Sequence, residues 1–518
     1  MLLQDVLRRS AKFYREKTAL VCGSHRFTYG QFMHRVNRLA NGLASLGVRL
    51  GDRIAALLPN CHRYAEIYLA AAQIGAVLVP LNIRLSPREL TGLIEHSEAV
   101  GLISGDRFRE TLHSMSGFSP KLKLLIGWGL REEGFLDYEG LLDANPSGSI
   151  DFDFDEGEVA IQMYTSGTTG APKGVLLTHR NIMANTLTGI FERRLSHQDV
   201  FLNASPMYHI ADLEYFFQIL SVGGTNVFIE RFDPLLFLEA IQRERVTCTW
   251  IVPTMIYDLL ACPDLARFDV TSLRTIFYGG ACLSPEVFWR ARKTFPCEFS
   301  LGFGLTEAGP LLSLLRPADH RGEPAEVEKR LRSCGREVFN VEVRIVDEKG
   351  KELPPGQVGE IVARGANVMK GYWKMEKETQ WTLRGGWLHT GDMAWMDEEG
   401  YLFLVDRKKD VIKSGGENIY SREVEETIAS HPAVKEVAVI GVPDERWGEA
   451  VKAVIVLREG IPCTEKEILE HSLHKLAGFK QPKSVSFVPA LPKNITGKVL
   501  KTELRAMYPK TRGGGCGF

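Results

Sequence analysis

One segment of the chain combines residue types that suit phosphate binding. Residues 164–174 read YTSGTTGAPKG, a run of small and hydroxyl-bearing residues that leads to a lysine. Small residues let backbone N–H groups approach a phosphate closely, while hydroxyls and a lysine add donors and positive charge. The segment therefore predicts a phosphate-binding loop rather than a plain Gly/Thr turn. Its candidate binding residues are Thr165, Ser166, Gly167, Thr168, Thr169, Gly170 and Lys173.

This loop differs from the Walker A motif of P-loop nucleotidases. The spacing between its first glycine and the lysine is different, Pro172 precedes the lysine, and no serine or threonine follows it. The chemistry indicated is therefore nucleotide phosphate binding of another kind.

Alternating helix and strand patterns must position this loop. Helical spacing over residues 31–46 alternates with short apolar runs at 53–58 and 76–80, and the same rhythm continues to about residue 278. Such alternation is typical of an α/β fold with largely parallel sheets. From about residue 333 the pattern changes to short runs separated by glycine and acidic turns, which predicts an antiparallel β-rich subdomain at 333–405. Residues 406–518 predict a small α+β domain.

Composition excludes several classes of protein. The chain has 518 residues and a net charge of −1, which gives no global electrostatic case for nucleic acid binding. Its most apolar window, residues 68–81, is too short to span a bilayer, and it predicts a buried helix followed by a buried strand. Nine cysteines without a CxxC pair argue against a disulfide framework or structural zinc. We expect a cytoplasmic enzyme without an integral membrane segment.

Five further segments extend the pattern and carry a family resemblance. In chain order they are GGA at 279–281, GFGLTE at 302–307, LHTGD at 388–392, DRKKD at 406–410 followed by IKSGGENI at 412–419, and PKNITGK at 492–498. Together with the loop at 164–174 they resemble the motifs of the adenylate-forming (AMP-binding) superfamily along essentially the whole chain. The chain looks most similar to its fatty-acid or carnitine-type acyl-CoA ligases. The resemblance implies a large AMP-binding domain at 1–405 and a small mobile domain at 406–518, with a hinge at 406–410.

The resemblance also implies roles for residues around ATP. Glu307 is the expected Mg²⁺ ligand, Thr306 is expected to hydrogen-bond the α-phosphate, and Lys173 belongs to the phosphate cradle. Lys498 is expected to bring a positive charge to the α-phosphate during the first reaction step. These four residues are the candidate catalytic set.

The nucleoside of ATP has its own candidate residues. Gly280 and Ala281 are expected on the adenine side, and Phe303 offers a flat face where the family usually has tyrosine. Asp392 is suited to accept hydrogen bonds from two ribose hydroxyls, and Arg407 is suited to donate to the ribose.

The acyl side of the site is defined less sharply. His209 is expected at the wall or gate of the acyl pocket, with Gly302 and Trp250 nearby, although Trp250 fits simple core packing almost as well. Asp212 and Glu214 fit either an outward helical face or a polar substrate, and the sequence leaves that choice open.

The hinge and the segment after it complete the candidate site. Lys409 is the expected pivot of the hinge. Ser414, Gly415 and Gly416 are expected on the CoA side, because Gly-Gly-Glu-Asn loops of this kind resemble those of CoA ligases.

The resemblance implies an ATP-dependent carboxylic acid:CoA ligase with ATP, Mg²⁺ and CoA. Its first step forms an acyl-adenylate and pyrophosphate, and its second step forms the acyl-CoA thioester and AMP. A stand-alone enzyme that loads a phosphopantetheine carrier protein is the main alternative. A non-catalytic ATP-binding regulator and a luciferase-like oxidase fit less well. Neither the identity of the acid nor homodimer formation is readable from the sequence.

Overall fold

The computed structural model describes residues 1–115, 121–130, 132–150, 152–165, 172–415, 417–444, 447–473, 475–493 and 499–508. Within these ranges the chain has a mixed α/β fold with parallel sheets, as the sequence predicts. The helices are α1 Leu3–Phe13, α2 Tyr29–Ser45, α3 His62–Gln73, α4 Pro87–Ser97, α5 Arg109–Ser114, α6 Tyr138–Asp143, α7 His179–Arg193, α8 Ile210–Val222, α9 Pro234–Glu244, α10 Pro253–Ala261, α11 Pro285–Thr294, α12 Pro324–Leu331, α13 Glu376–Thr382, α14 Ser421–Ala429, α15 Glu465–Leu473 and α16 Lys501–Met507.

The strands supply four sheets. They are β1 Thr18–Cys22, β2 His25–Thr28, β3 Arg53–Leu57, β4 Val77–Pro80, β5 Gly101–Gly105, β6 Leu124–Trp128, β7 Phe135–Asp137, β8 Val159–Thr165, β9 Lys173–Thr178, β10 Val200–Asn203, β11 Thr225–Phe228, β12 Cys248–Ile251, β13 Thr275–Gly279, β14 Glu298–Gly304, β15 Leu311–Leu315, β16 Arg336–Glu337, β17 Val341–Val346, β18 Gly359–Gly365, β19 Gly371–Tyr372, β20 Leu388–Met396, β21 Leu402–Arg407, β22 Ile412–Ser414, β23 Glu417–Ile419, β24 Val434–Asp444, β25 Gly448–Leu457 and β26 Ser484–Phe487.

Two large sheets build the first compact unit, which comprises Met1–Val343, Val362–His389 and Glu399–Leu402. The nine-stranded sheet has the order β16-β15-β14-β13-β12-β10-β11-β1-β2, and its strands β10 to β14 run parallel to one another. The eight-stranded sheet has the order β19-β9-β8-β4-β3-β5-β6-β7, and β9 runs antiparallel to both of its neighbours. The carboxyl ends of the parallel strands in each sheet meet at one edge, where ligand sites of α/β folds usually lie.

Helices between the two sheets form the main core. One buried cluster joins Leu20 of the nine-stranded sheet and Leu78 of the eight-stranded sheet with side chains of α1, α2, α3 and α8. Helix α3 is alanine-rich and buried along its whole length, and it leads into the buried strand β4. The prediction of a buried helix followed by a buried strand at residues 68–81 is therefore confirmed.

Other elements also follow the sequence patterns closely. Helix α2 begins where Thr28 and Gln31 cap each other reciprocally, and it covers the helical spacing seen at 31–46. The sequence of residues 341–346, VEVRIV, alternates with period two and predicts a strand with the bounds of β17, and the apolar runs at 359–363 and 401–405 predict strands within two residues of β18 and β21.

The second compact unit comprises Arg344–Ile361, Thr390–Glu398 and Phe403–Phe518. It therefore contains the predicted domain at 406–518 together with parts of the β-rich segment, whose four strands have the order β17-β18-β20-β21. Its own five-stranded sheet is built on the long antiparallel pair β24 and β25, with α14 and α15 contributing to its core. A boundary at 405/406 stays a prediction.

None of the described helices has the length and hydropathy needed to cross a membrane. In the same ranges, no three His, Cys, Asp or Glu side chains lie together as a metal site would require.

Candidate active site

Two adjacent glycine-rich strand ends form the floor of the candidate adenine side. Gly279 ends β13 and pairs in register with Gly302 of β14. A Cβ atom on Gly279 would lie 2.9 Å from the Gly302 carbonyl oxygen and 3.3 Å from the Trp250 indole nitrogen. Any side chain at 279 would therefore clash with backbone, which explains why the strand end carries none. Gly280 continues with a φ of +81°, a left-handed conformation that glycine adopts without strain.

The structure brings the predicted residues of this edge together. Gly280 and Ala281 are exposed directly after β13, and Phe303 is half-buried on the neighbouring strand β14. Its ring is available to a flat ligand, as the motif reading requires. Trp250 lies on the next strand, β12; it is mostly buried among core aromatics, while its indole edge reaches Gly279. The core packing of Trp250 is therefore seen in the structure, while its place in an acyl pocket stays a prediction.

A carboxylate, a tyrosine and a lysine form the polar centre of the first unit. The hydroxyl of Tyr372 donates a hydrogen bond to Oε1 of Glu307 at 2.8 Å. The ammonium nitrogen of Lys173 lies 4.9 Å from the centroid of the Tyr372 ring, a cation–π distance. Thr165 and Lys173 are register partners at the end of the β8–β9 hairpin where residues 166–172 connect the two strands. The structure thus places Lys173 and Glu307, predicted from distant motifs, around one tyrosine, and it pairs Thr165 with Lys173 in the hairpin.

The protonation of Tyr372 suits a donor role. Burial raises the pKa of the Tyr372 phenol above its ordinary value, and the negative charge of Glu307 raises it further. The phenol therefore keeps its proton across the physiological pH range and can direct it at the carboxylate. Sequence reasoning missed Tyr372, whose importance depends on the pairing of Gly371–Tyr372 with β9, almost 200 residues earlier.

Side-chain amides hold the segment that carries Tyr372. Asn181 donates to the carbonyl oxygens of Ala366 at 2.8 Å and Val368 at 2.7 Å. Asn367 donates to the carbonyl oxygen of Ala308 at 2.6 Å, and Met369 N donates to the carbonyl oxygen of Glu307 at 2.9 Å. The short 3₁₀ turn Thr306–Ala308 is therefore held both by its backbone and by the side chain of its carboxylate.

The donor set suits Mg²⁺ bound mainly through substrate. Glu307 offers two carboxylate oxygens, of which Oε1 accepts the hydrogen bond from the hydroxyl of Tyr372. Mg²⁺ prefers hard oxygen ligands and commonly takes one or two protein carboxylates plus phosphate oxygens and water. A single carboxylate near the ammonium of Lys173 fits that habit.

His209 lies at the start of helix α8, after strand β10 of the nine-stranded sheet. Burial lowers the pKa of the His209 imidazole to about 4, and the nearby positive charge of Arg84 adds to that shift. The side chain is therefore neutral at physiological pH, which suits a wall that faces an apolar acyl group.

Both acids on helix α8 are buried, so the alternative of an outward-facing helical side is wrong. Glu214 forms an ion pair with Arg193 at 3.0 Å and accepts a hydrogen bond from Asn185 at 2.9 Å. It therefore has a structural partner for each of its oxygens. Asp212 is fully buried, and burial raises the pKa of its carboxyl well above its ordinary value. Helix α8 is buried on all sides, and for that reason its pattern gave no outward face to read.

The second unit holds the remaining candidate residues. Nε of Arg407 lies 2.5 Å from Oδ1 of Asp392, so the two predicted ribose residues are joined. Gly415 N donates to the carbonyl oxygen of Trp447 at 2.8 Å, and the Trp447 ring packs against Gly415. Ser414 pairs with Gly448 next to them. The predicted residues Ser166, Gly167, Thr168, Thr169, Gly170, Gly416 and Lys498 lie outside the described residues.

Comparison with known proteins gives the class of this site. Residues 7–373 match the AMP-binding enzyme family, and residues 423–498 match the AMP-binding enzyme C-terminal domain. The chain belongs to the AMP-binding enzyme family. Among solved structures, ATP-bound MatB from Rhodopseudomonas palustris superposes with a TM-score of 0.87 at 31% identity, covering 98% of this chain and 99% of that one.

Curated relatives narrow the class to ligases of acids and CoA. Feruloyl-CoA synthase of Amycolatopsis sp is 40% identical over 501 residues, covering 96% of this chain and 98% of the relative. Long-chain-fatty-acid–CoA ligase of Bacillus subtilis is 32% identical over 535 residues, covering 97% and 94%. Within its family the chain is therefore an enzyme of the acyl- and aryl-CoA synthetase group, whose general chemistry is the two-step ligation that the motifs imply.

Proposed function

We propose that the chain is an ATP-dependent carboxylic acid:CoA ligase that works in two steps on one site. A carboxylate oxygen attacks the α-phosphorus of ATP and pyrophosphate leaves, which gives an acyl-adenylate. The thiol of CoA then attacks the acyl carbon, AMP leaves, and the thiol proton is released. The observation that carries the proposal is the hydrogen bond between Glu307 and Tyr372, whose ring lies near Lys173 at the first position of β9.

Each member of that group has a task in the first step. Lys173 supplies positive charge where the phosphates of ATP would lie, and Tyr372 orients the Glu307 carboxylate. Glu307 would hold Mg²⁺ together with phosphate oxygens; when bound, the ion neutralises charge on those oxygens. Gly280, Ala281 and Phe303 would receive the adenine, and Asp392 with Arg407 would receive the ribose. Lys498 keeps its proposed role in adenylation.

An aromatic or aryl-alkenyl carboxylic acid is the substrate class that we favour. The support is the likeness to feruloyl-CoA synthase, at 40% identity, compared with 32% for the long-chain fatty acid ligase. CoA is favoured as the acceptor, although a fatty acid–[acyl-carrier-protein] ligase of Streptomyces coeruleorubidus is 34% identical. The cytoplasm suits the enzyme, because the eight cysteines of the described ranges are all free thiols, as expected in a reducing compartment.

A panel assay tests the proposal. Aromatic, aryl-alkenyl, short-chain and long-chain acids are each supplied with ATP and Mg²⁺, and pyrophosphate and AMP release are measured without acceptor, with CoA and with a purified holo-carrier protein. We expect Mg²⁺-dependent pyrophosphate release and CoA-dependent thioester formation, strongest with aryl acids. Glu307→Gln serves as the matched control, because it keeps the size of the side chain and removes its charge. Turnover with carrier protein but not with CoA would overturn the choice of acceptor.

A further inference from the structure

Glu360 is a buried carboxylate that the motifs do not single out. It lies in β18 of the second unit, and only 5% of the residue is exposed. Its two oxygens have different partners. Oε1 accepts a hydrogen bond from the backbone N–H of Gly391 at 3.2 Å, and Oε2 accepts one from the ammonium of Lys408 at 3.0 Å. Burying a carboxylate costs folding free energy unless its oxygens have hydrogen-bond or ion-pair partners, so both contacts stabilise the folded state.

Gly391 is the residue through which Glu360 reaches the candidate ribose site. It lies within β20, directly precedes Asp392 and has a φ of +71°, so it makes a left-handed kink in the strand, here called the turn at Gly391, that aims the next side chain. Its N–H is held by Glu360, and its carbonyl oxygen accepts from Lys408 N at 2.9 Å. The N–H and the carbonyl group of Gly391 are therefore both fixed, and the next residue, Asp392, is held separately by its ion pair with Arg407.

Two residues of the hinge segment 406–410 have partners in the second unit, one in the Glu360 network and one in helix α16. Lys408 is tied to Glu360 and Gly391, whereas Asp410 accepts from Arg505 of α16 at 3.0 Å. Within the described part of the second unit, the side chain of Lys409 makes neither a hydrogen bond nor an ion pair. Glu360 therefore stabilises the residue just before the proposed pivot as well as the turn before Asp392.

We propose that Glu360 is a positioning residue for nucleotide binding, which fixes the turn at Gly391 so that the Asp392 carboxylate meets the ribose hydroxyls. The inference rests on the proposed function, and it deepens the account of that same site. Glu360 itself touches no nucleotide in this proposal. Its loss would leave Asp392 paired with Arg407 but on a backbone turn that is no longer fixed, so the carboxylate would meet the ribose hydroxyls less precisely.

The sharp test is discrimination between ATP and 2′-deoxyATP. Binding of each nucleotide to the full-length chain is measured by calorimetry, and acyl-adenylate formation is measured by pyrophosphate exchange with each. For Glu360→Ala we expect the affinity and KM for ATP to worsen about 10-fold, with kcat changed less than about threefold and the preference for ATP over 2′-deoxyATP largely lost. Asp392→Asn should lose the same preference.

Conservative variants separate positioning from simple folding damage. Glu360→Gln keeps an oxygen for Gly391 N–H, so it should retain the preference for ATP, while Glu360→Asp shortens the side chain and should lose part of it. Lys408→Met removes the ion pair alone and should keep the preference too. A Glu360→Ala protein that folds, loses activity and still discriminates the two nucleotides would overturn the proposal. If Glu360→Ala fails to fold, full discrimination by Glu360→Asp would overturn it.

Failure of the proposed function gives a different result. If the wild-type chain forms adenylate but not thioester, the choice of acceptor is wrong and the Glu360 comparison stands unchanged. If the wild-type chain binds ATP and 2′-deoxyATP equally, the ribose role of Asp392 falls and the Glu360 proposal falls with it.

Discussion

Tyr372→Phe removes one oxygen atom from the polar centre of the first unit. The ring that packs near Lys173 stays, while the 2.8 Å hydrogen bond to Glu307 is lost. Glu307 then keeps its charge but loses the group that fixes its direction. We expect adenylation to slow, because a misdirected carboxylate holds Mg²⁺ and the phosphates less well in the transition state.

The size of the effect follows from the kind of bond that is removed. A hydrogen bond to a charged group contributes about 1.5–3 kcal/mol. At about 1.36 kcal/mol for each factor of ten in rate, that range corresponds to roughly 10- to 150-fold in kcat/KM. Tyr372 is buried but borders the ligand site, so water can replace part of the lost bond, and we expect a value near ~10-fold.

Pyrophosphate exchange at saturating acid gives the rate of adenylation, and a Mg²⁺ titration gives the concentration for half-maximal rate. Both should change in Tyr372→Phe, whereas thioester formation from supplied acyl-adenylate should not. Tyr138→Phe is the matched control, since it removes a 2.7 Å bond from a buried tyrosine to the buried Glu66. That control should lose stability but keep its Mg²⁺ dependence. An unchanged Mg²⁺ dependence in Tyr372→Phe would refute the orienting role.

Three more outcomes are expected. Lys498→Ala should lose about 10²–10³-fold in adenylation but retain thioester formation from supplied adenylate; equal losses in both half-reactions would contradict its role. Lys409→Pro should slow the thioester half-reaction far more than adenylation, because proline fixes φ at the proposed pivot, and equal effects on both would remove Lys409 as the pivot. Burial lowers the pKa of His320 to about 4. Between about pH 6.5 and 4 the unfolded chain therefore binds a proton that the folded chain does not. As the pH is lowered through this range, the free energy of unfolding should fall by up to about 1.4 kcal/mol per pH unit because of this group. Denaturant unfolding of His320→Gln across that range should show a flatter pH dependence, and an unchanged slope would refute the assignment.

Local sequence patterns were sufficient to predict helices and strands that have one apolar, buried face and one polar, exposed face. The capping pair Thr28 and Gln31 marks the start of α2, and alternating residues mark β17. They were insufficient for α8, because a helix buried on every side has no polar face from which the setting of Asp212 could be read.

The candidate site divides in the same way. Glu307 stands out because its short motif surrounds it, and in the structure Tyr372 lies between it and Lys173. Tyr372 and Glu360 act through pairings with residues far away in the chain, Glu307 in one case and Lys408 in the other. Such contacts depend on tertiary structure, and neither residue type nor sequence spacing predicts them.

The short strand β19 has a bearing on how the protein is synthesised. Gly371–Tyr372 closes one edge of a sheet whose first strand in the chain, β3, begins at residue 53. Until the ribosome has released residue 372, β9 is an open edge, and open edges invite pairing with other chains. The carboxylate of Glu307 also lacks its tyrosine until then. The nascent chain therefore exposes the edge of β9 and the unpartnered Glu307 carboxylate until Gly371 and Tyr372 have been made, and these two residues then pair with β9 and supply the hydrogen bond to Glu307.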